Sequence, residues 1–468
     1  MRLSGIEKRI LKFITENRLI PEGSKVLLAV SGGADSVCMS LILKRIADST
    51  GLFDIAVCTV NHHLRDSSVN DIIFVNELAE KLGVPYMLQN VYPCVEKGNV
   101  EELARILRYS ALNSALKEWG GNVIATAHTQ NDQAETVLMR IVRGTSTRGL
   151  SSIPVKRENI IRPMLSVTRS DVLHYLKEQG VNYMTDESNL MLCYTRNKVR
   201  LQLLPLIKDE YNPQIIEALS SLAERAQTDN DYFEELCEKC LRDNSEIRGD
   251  DLLLRLDSSL HKAIKSRVFR RCAELFYGTD KNIFAEHYEQ FFALSTGQEL
   301  NISDNFLIIS LGKGYFLFTK RENNDKIYNI ELNFLDDKHC KWCGHNINIS
   351  EKKIIDAKMK SCNEIALSKA FFDKALIEGK IILRSFLPGD KILVNGMTKK
   401  VQDIFVDKGV PRILRERVPM FVDDNGIVFI GGYRVADRVK VTEHTKEVFE
   451  IGVEWKSNPW TYQILNKE

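Results

Sequence analysis

The sequence predicts an α/β protein with three parts: an N-terminal doubly wound parallel sheet, a mainly helical middle domain and a small α+β C-terminal domain. Three observations carry this. Apolar strand-like runs alternate with helical stretches between residues 25 and 150. Helical periodicity with acidic faces follows from Gln214 to near Phe292. Short β-like runs separated by turn signals fill the chain from near Glu299 onward.

The elements follow in order. Lys25-Val-Leu-Leu-Ala-Val30 is an apolar run that ends at Ser31-Gly32-Gly33. Asp54-Ile-Ala-Val-Cys-Thr-Val60 ends at Asn61-His62-His63, and Asn122-Val-Ile-Ala-Thr-Ala127 ends at His128. Helices are predicted over 37–46, 68–82 and 101–119. Parallel sheets bind ligands beyond the carboxyl ends of their strands, and each of these strands delivers polar residues there. Residues 168–180 predict a helix, 186–189 a turn and 194–207 a basic helix. Asn212-Pro213 marks a break, giving expected domains of 1–213, 214–345 and 346–468. Phe306-Leu-Ile-Ile-Ser, Tyr315-Phe-Leu-Phe and Ile327-Tyr-Asn-Ile-Glu-Leu are the β-like runs. From Ile381 the turn signals Pro388-Gly389-Asp390, Asp423-Asp-Asn-Gly426 and Gly431-Gly432 punctuate the last segment.

Composition excludes several classes. At 468 residues, 44% hydrophobic and 27% charged, the chain is long enough for several cores and too apolar to be a disordered one. No apolar run approaches the length of a membrane span, and the N-terminus lacks an apolar signal core, so a cytoplasmic location is expected. Ten cysteines without a secretion signal read as reduced thiols. The net charge is only +1, but its distribution is uneven. Residues 217–257 carry 12 acidic and 5 basic side chains; 140–207 carry 11 basic and 5 acidic; 384–440 carry 11 basic and 7 acidic. Two basic regions therefore flank an acidic one, a pattern open to nucleic acid or to ordinary solvated surface.

The chemistry starts at Ser31-Gly32-Gly33-Ala34-Asp35-Ser36, between a strand and a helix. Glycines let the backbone approach an anion, and the helix N-terminus aims free N–H groups at it. Ser31 and Ser36 add hydroxyl donors. Asp35 is unsuited to phosphate alone but suits Mg²⁺ that bridges carboxylate and phosphates. No Gly-Lys-Ser/Thr follows, so the loop is not a Walker A motif. Asp132 and Glu135 lie three apart on one helical face just beyond a strand end, with His128 leaving that same end.

The loop resembles that of the pyrophosphate-loop ATPases, with an adenine nucleotide alpha hydrolase-like fold. Further motifs narrow the resemblance: Asn61-His-His-Leu-Arg65, Glu101-Glu-Leu-Ala-Arg105-Ile-Leu-Arg108-Tyr109, His128-Thr-Gln-Asn-Asp132-Gln-Ala-Glu135-Thr136, Arg143-Gly-Thr-Ser-Thr-Arg148-Gly-Leu, Arg162-Pro-Met-Leu, Asp186-Glu-Ser-Asn189 and Arg196-Asn197-Lys-Val-Arg200. With Arg384-Ser-Phe-Leu-Pro-Gly-Asp390, Lys399-Lys-Val-Gln-Asp-Ile-Phe-Val-Asp-Lys408 and Arg415-Glu-Arg-Val-Pro419, the set is similar to the tRNA(Ile)-lysidine synthetase family. The resemblance is weakest over 230–350. Asn131 stands where a second Asp is common, Ser146 where Gly is usual, and Glu187 where Pro is usual.

The resemblance implies a ligase that adenylates the C2 carbonyl of the wobble cytidine in a CAU anticodon. The amine of free lysine then displaces AMP, giving lysidine and shifting the codon read from AUG to AUA. ATP and Mg²⁺ are the implied cofactors, tRNA(Ile) and L-lysine the partners, and a homodimer is compatible with it. Asp35 is the expected metal ligand, and Ser31 to Ser36 the nucleotide loop. Arg105 is expected at the activated intermediate, Asp132 nearest the chemistry, and Glu135 and His128 around lysine or the base. Arg143, Arg148, Arg196, Arg200, Lys399, Lys400 and Arg415 suit tRNA or phosphate contact. His62 and His63 end a strand at the site edge, where one of them is expected to pack and neither to be catalytic.

Cys237/Cys240 and Cys340/Cys343 have metal-like spacing, but about 100 residues separate the pairs, far beyond compact zinc modules. A tRNA thiolase of the same superfamily would need cysteines near the site, and only Cys38 lies in the loop helix. A non-catalytic RNA binder would gain nothing from the loop and its carboxylates.

Overall fold

The computed structural model describes residues 3–63, 68–92, 100–185, 192, 195–248, 251–277, 285–303, 306–320, 329–332, 339–342, 345–353 and 369–454. The expected turn at 186–189 lies outside them. The chain forms two compact units, Met1–Tyr232 and Phe233–Glu468.

In the first unit the elements are α1 (Gly5–Glu16), β1 (Ser24–Ala29), α2 (Ala34–Thr50), β2 (Phe53–Asn61), α3 (Ser68–Leu82), β3 (Tyr86–Asn90), α4 (Val100–Trp119), β4 (Val123–Ala125), α5 (Gln130–Arg143), α6 (Thr147–Leu150), β5 (Lys156–Arg157), β6 (Ile160–Ile161) and α7 (Arg169–Gln179). The sheet order is β3-β2-β1-β4-β6-β5, parallel except for the edge strand β5. The central strand shows why both faces are covered. Val26 and Leu28 pack with Ile10 of α1, Ile42 of α2, Val75 of α3 and Val172 of α7. Leu27, pointing the other way, packs with Leu112 and Leu116 of α4. A strand buried on both faces reads as a continuous apolar run, and that is how it stood out in the sequence.

The predicted basic helix over 194–207 departs from regular geometry. It consists of α8 (Thr195–Lys198), a π turn (Val199–Leu203) and α9 (Leu204–Glu210). The Leu204 N–H donates to the Val199 carbonyl, five residues back. Pro205 lacks an N–H and its ring crowds the carbonyl four residues earlier, and the wider turn absorbs that clash. The long helix α10 (Ile215–Asn244) follows.

The second unit contains β7 (Ser245–Arg248), β8 (Asp251–Arg255), α11 (Lys262–Tyr277), α12 (Ala285–Ala293), β9 (Glu299–Ser303), β10 (Phe306–Gly312) and β11 (Tyr315–Lys320). The helices of the middle region are present, and a five-stranded sheet of order β7-β8-β11-β10-β9 accompanies them. Strands β7 and β8 interrupt the stretch that the sequence predicts as helical up to Phe292. On one face Ile308 and Phe318 pack under Phe269 and Phe291; on the other, Leu307, Ile309 and Leu317 join a core with Phe372, Phe421 and Phe429.

Among the described residues the remaining strands are β12 (Asn329–Leu332), β13 (His339–Trp342), β14 (His345–Lys353), β15 (Lys369–Asp373), β16 (Ile381–Arg384), β17 (Lys391–Val394), β18 (Met397–Lys400), β19 (Met420–Asp423), β20 (Gly426–Ile430), β21 (Arg434–Val435) and β22 (Glu447–Glu454), accompanied by the short α-helix α13 (Val401–Asp407). They form sheets β12-β16-β19-β20-β21 and β13-β14-β22-β15 and the hairpin β17-β18. Arg417 ties this part to the middle sheet: its guanidinium donates to both oxygens of buried Asp251 at 3.3 Å and to the Lys320 carbonyl at 2.7 Å. Thr319 also donates to Asp251, at 2.5 Å. Among the described residues no helix is long and apolar enough to cross a membrane.

Candidate active site

Two strand ends, those of β1 and β4, and three helix starts, those of α2, α5 and α7, meet in the first unit. The first is the loop after β1. Gly32 has φ +84, a left-handed conformation that favours glycine, and a Cβ there would sit 3.4 Å from Met184 Cγ. Its carbonyl accepts the Met184 N–H at 2.9 Å, pinning the loop from outside. Inside the loop, the Ser31 N–H donates to Ser36 Oγ at 3.2 Å, and Ser36 Oγ donates to the Gly33 carbonyl at 2.9 Å. Gly33 caps α2 without a side-chain hydrogen bond, so the helix start presents backbone N–H groups to a ligand.

Asp35 lies in the first turn of α2. Its Oδ2 pairs with the Arg169 guanidinium, while Oδ1 is buried with no hydrogen-bond partner. Burial pushes its carboxyl above the ordinary value, and Arg169 only partly offsets this. A carboxylate with one orphaned oxygen at a helix start suits a hard cation. Among the described residues no three His, Cys, Asp or Glu side chains cluster as a ready cage, so phosphates and water would complete such a shell.

The second strand end is β4, followed by α5. Asp132 serves as the third residue of that helix. Its Oδ2 accepts the Thr129 N–H at 2.9 Å and the Thr129 hydroxyl at 3.0 Å. Asp132 Oδ1 and both Glu135 oxygens face outward onto arginines. Arg196 donates to Asp132 Oδ1 at 2.6 Å and to Glu135 Oε2 at 2.8 Å. Arg200 donates to Glu135 Oε1 at 2.5 Å and Oε2 at 3.0 Å. Burial opposes ionisation of Asp132, but Arg196, His128 and the Thr129 N–H hold its carboxyl below the usual value. The expected carboxylate pair is thus assembled, and two of the arginines expected on tRNA are bound to it.

His128 accepts or donates at Nδ1 with Thr126 Oγ1, 3.1 Å away. Burial lowers its pKa to about 4, aided by Arg162, Arg108 and Arg196 against Asp132, so it is neutral at neutral pH. Arg105 is exposed on α4 with its guanidinium 5.8 Å from the Tyr109 ring centre. Its charge, after burial, disfavours the protonated forms of Arg162 and Arg140. His62 is held in its neutral form by burial and by Arg108. His63 stacks on Tyr92 at 4.5 Å and bonds Asn90 at 2.8 Å. His63 is thus occupied at the strand edge, whereas His62 Nδ1 is buried without a hydrogen-bond partner.

Arg143, the last residue of α5, and Arg148, in α6, are both exposed. Lys399 and Lys400 are exposed on β18 of the second unit, and Arg415 donates to the Val410 carbonyl at 3.1 Å. Cys237 and Cys272 are buried in the apolar core of the middle region, and burial raises both thiols well above their ordinary value. Cys240 bonds Asn244, Cys340 lies on β13, and Cys343 is outside the described residues.

Sequence reasoning did not single out Arg169, and it named Asn131 and Arg162 without giving them a place in the site. Arg169 is the first residue of α7, and its N–H donates to Asn131 Oδ1 at 2.8 Å. A signal for it existed: an arginine at a helix start opposes the helix dipole and needs another reason to be there. Arg162, at the end of β6, is 3% exposed and donates to the Pro154 carbonyl at 2.7 Å.

The pattern of the PP-loop domain matches residues 3–207, and that of the TilS substrate C-terminal domain matches residues 381–455. A tRNA(Ile)-lysidine synthase of Clostridioides difficile (strain 630) is 34% identical over 462 residues, spanning 95% of this chain and 98% of the relative. One of Caldanaerobacter subterraneus subsp. tengcongensis is 32% identical over 463 residues, spanning 96% and 97%. Among solved structures, a U34-tRNA thiolase, NcsA from Methanococcus maripaludis, is 19% identical over 47% of this chain and 77% of its own, at a TM-score of 0.40. It is too distant to weigh in the choice of activity. With full-length identity above 30% and both characteristic domains in order, the chain belongs to the tRNA(Ile)-lysidine synthase family.

Proposed function

We propose that this enzyme ligates free lysine to C2 of the wobble cytidine in the CAU anticodon of tRNA(Ile), through an adenylated cytidine, releasing diphosphate and AMP. Family membership gives the reaction. The observation that carries its placement is the meeting of the Ser31–Ser36 loop with Asp132 and Glu135 at neighbouring strand ends. Asp132 and Arg200 lie close enough to act electrostatically on Asp35.

ATP binds at the loop, with Ser31, Gly32, Gly33, Ala34 and Ser36 around its phosphates. Asp35, whose Oδ1 lacks a hydrogen-bond partner, would hold Mg²⁺. When bound, the ion neutralises phosphate charge as diphosphate leaves. Arg105 approaches the activated intermediate from α4. Asp132 and Glu135 receive the lysine amine, and neutral His128 orients lysine or the base. Arg143, Arg148, Lys399, Lys400 and Arg415 supply phosphate contacts to tRNA, and Arg196 and Arg200 control access to the carboxylates. Residues 214–345 and 346–468 act as tRNA-recognition and tRNA-binding domains after the catalytic 1–213.

The test combines the protein with Mg-ATP, labelled lysine and a CAU-anticodon isoleucine tRNA transcript. Lysine incorporation that stops when the wobble cytidine is replaced supports the reading. No incorporation, with diphosphate release indifferent to that base, refutes it. Asp35→Ala should abolish adenylation while tRNA binding survives.

A further inference from the structure

Arg169 is held in place more firmly than a surface arginine requires. Its N–H is fixed to Asn131 on α5, and the preceding Thr168 closes a capping box with Asp171: the Thr168 N–H donates to Asp171 at 2.9 Å and the Asp171 N–H to Thr168 Oγ1 at 3.2 Å. The Gln130 N–H donates to the Val167 carbonyl at 3.0 Å, so α5 and α7 are stitched together at their starts. From this fixed base the side chain reaches a third helix start, that of α2, and pairs with Asp35. The position is unfavourable for a cation on the α7 dipole alone.

The same guanidinium stands at the α2 N-terminus, where the loop presents N–H groups to an anion. Its partner keeps a second, buried oxygen free. With no other ligand, the arginine neutralises a carboxylate that burial disfavours as an anion. When phosphates and a cation arrive together, both charges acquire better partners. The planar fork of arginine suits a phosphate as well as it suits a carboxylate.

We propose that Arg169, seated on Asp35 at the mouth of the Ser31–Ser36 loop, is a phosphate ligand of the ATP site that exchanges its carboxylate for the nucleotide when Mg²⁺ takes Asp35. The proposal rests on the ATP site assigned above and adds to it a residue outside the loop and a defined exchange of partners. Asn131 then acts as the anchor, fixing the backbone from which Arg169 swings.

The experiment measures equilibrium binding of ATP with Mg²⁺, and separately of Mn²⁺ without nucleotide by electron paramagnetic resonance, in the wild type, Arg169→Ala and Arg169→Gln. Loss of the phosphate contact should weaken ATP binding about tenfold, the scale of one charge-assisted hydrogen bond. Loss of the competing cation should strengthen Mn²⁺ binding without nucleotide several-fold in the same variants. Opposite shifts of the two ligands establish the exchange. Unchanged ATP binding in both variants overturns it, as does weakening of both ligands together, the result of a purely structural pair. The unfolding midpoint of each variant confirms that the protein measured is folded. Failure of the wild type itself to bind ATP would instead refute the ATP site.

Discussion

Arg196 bridges the two carboxylates of α5, donating to Asp132 Oδ1 at 2.6 Å and to Glu135 Oε2 at 2.8 Å. Arg200 covers the other side of Glu135, whose side chain is 2% exposed. The carboxylates proposed to receive an amine are already neutralised, so a lysine ammonium must enter by displacing or sharing these guanidinium groups.

Stripping both arginines should expose the cost of that buried anion. Arg196→Ala/Arg200→Ala is expected to destabilise the N-terminal unit by about 3 kcal/mol, the low end for breaking a buried pair because the arginines are partly solvated. Adding Glu135→Gln should recover much of the loss, since a neutral amide no longer needs them. Urea unfolding followed at the first unit's transition checks both; no recovery in the triple variant would mean that the arginines stabilise by packing instead.

His128 should make stability depend on pH. Its folded pKa, about 4, lies below the ordinary 6.5, so protons favour the unfolded chain. The contribution is complete above pH 6.5 and is lost as pH falls toward 4, with a slope of at most about 1.4 kcal/mol per pH unit. His128→Gln should flatten this part of the profile between pH 5 and pH 7 in paired urea titrations. A profile unchanged by the substitution would locate the dependence elsewhere.

In the second unit, Arg417→Ala removes the charged partner of buried Asp251 and leaves the Thr319 hydroxyl in contact with it. The expected cost is about 2–4 kcal/mol, and it should persist at 1 M salt because the pair is little exposed. Asp251→Asn combined with Arg417→Ala should cost less than the single Arg417 change. Thermal unfolding at low and high salt decides this; a loss that vanishes in salt would place the interaction at the surface.

Lys399 and Lys400 are exposed side by side on β18. If they lie against the tRNA backbone, Lys399→Glu/Lys400→Glu should weaken tRNA binding. The slope of log affinity against log salt should also become shallower by about one to two counterions. An unchanged slope would put the nucleic acid on another face.

Much of this molecule was legible because its signals are local or periodic. The apolar run from Lys25 to Val30 stood out as a strand, and residues 168–180 as the helix that α7 forms between its N-cap Thr168 and its left-handed C-cap Gly180. The loop and the three-residue spacing of Asp132 and Glu135 likewise needed only neighbours in sequence. Arg169 could not be assigned in this way, because its partner Asp35 lies 134 positions earlier and only the fold brings them together. The fate of Arg196 and Arg200 was hidden for the same reason: a basic helix suits tRNA and buried carboxylates equally well. Strands β7 and β8 were obscured by their shortness beside the long helical pattern of α10.

The last described strand has a consequence for synthesis. β22 pairs with β14 along Asn346 to Lys353 and with β15 along Lys369 to Asp373, lying between the two. A nascent chain therefore carries β14 and β15 with an open seam until residue 454 has left the ribosome. Through that interval two strand edges are available to wrong neighbours, including those of other nascent chains. Ribosome stalling within the final stretch would thus be more hazardous than stalling after α10, when the N-terminal sheet already has all its strands.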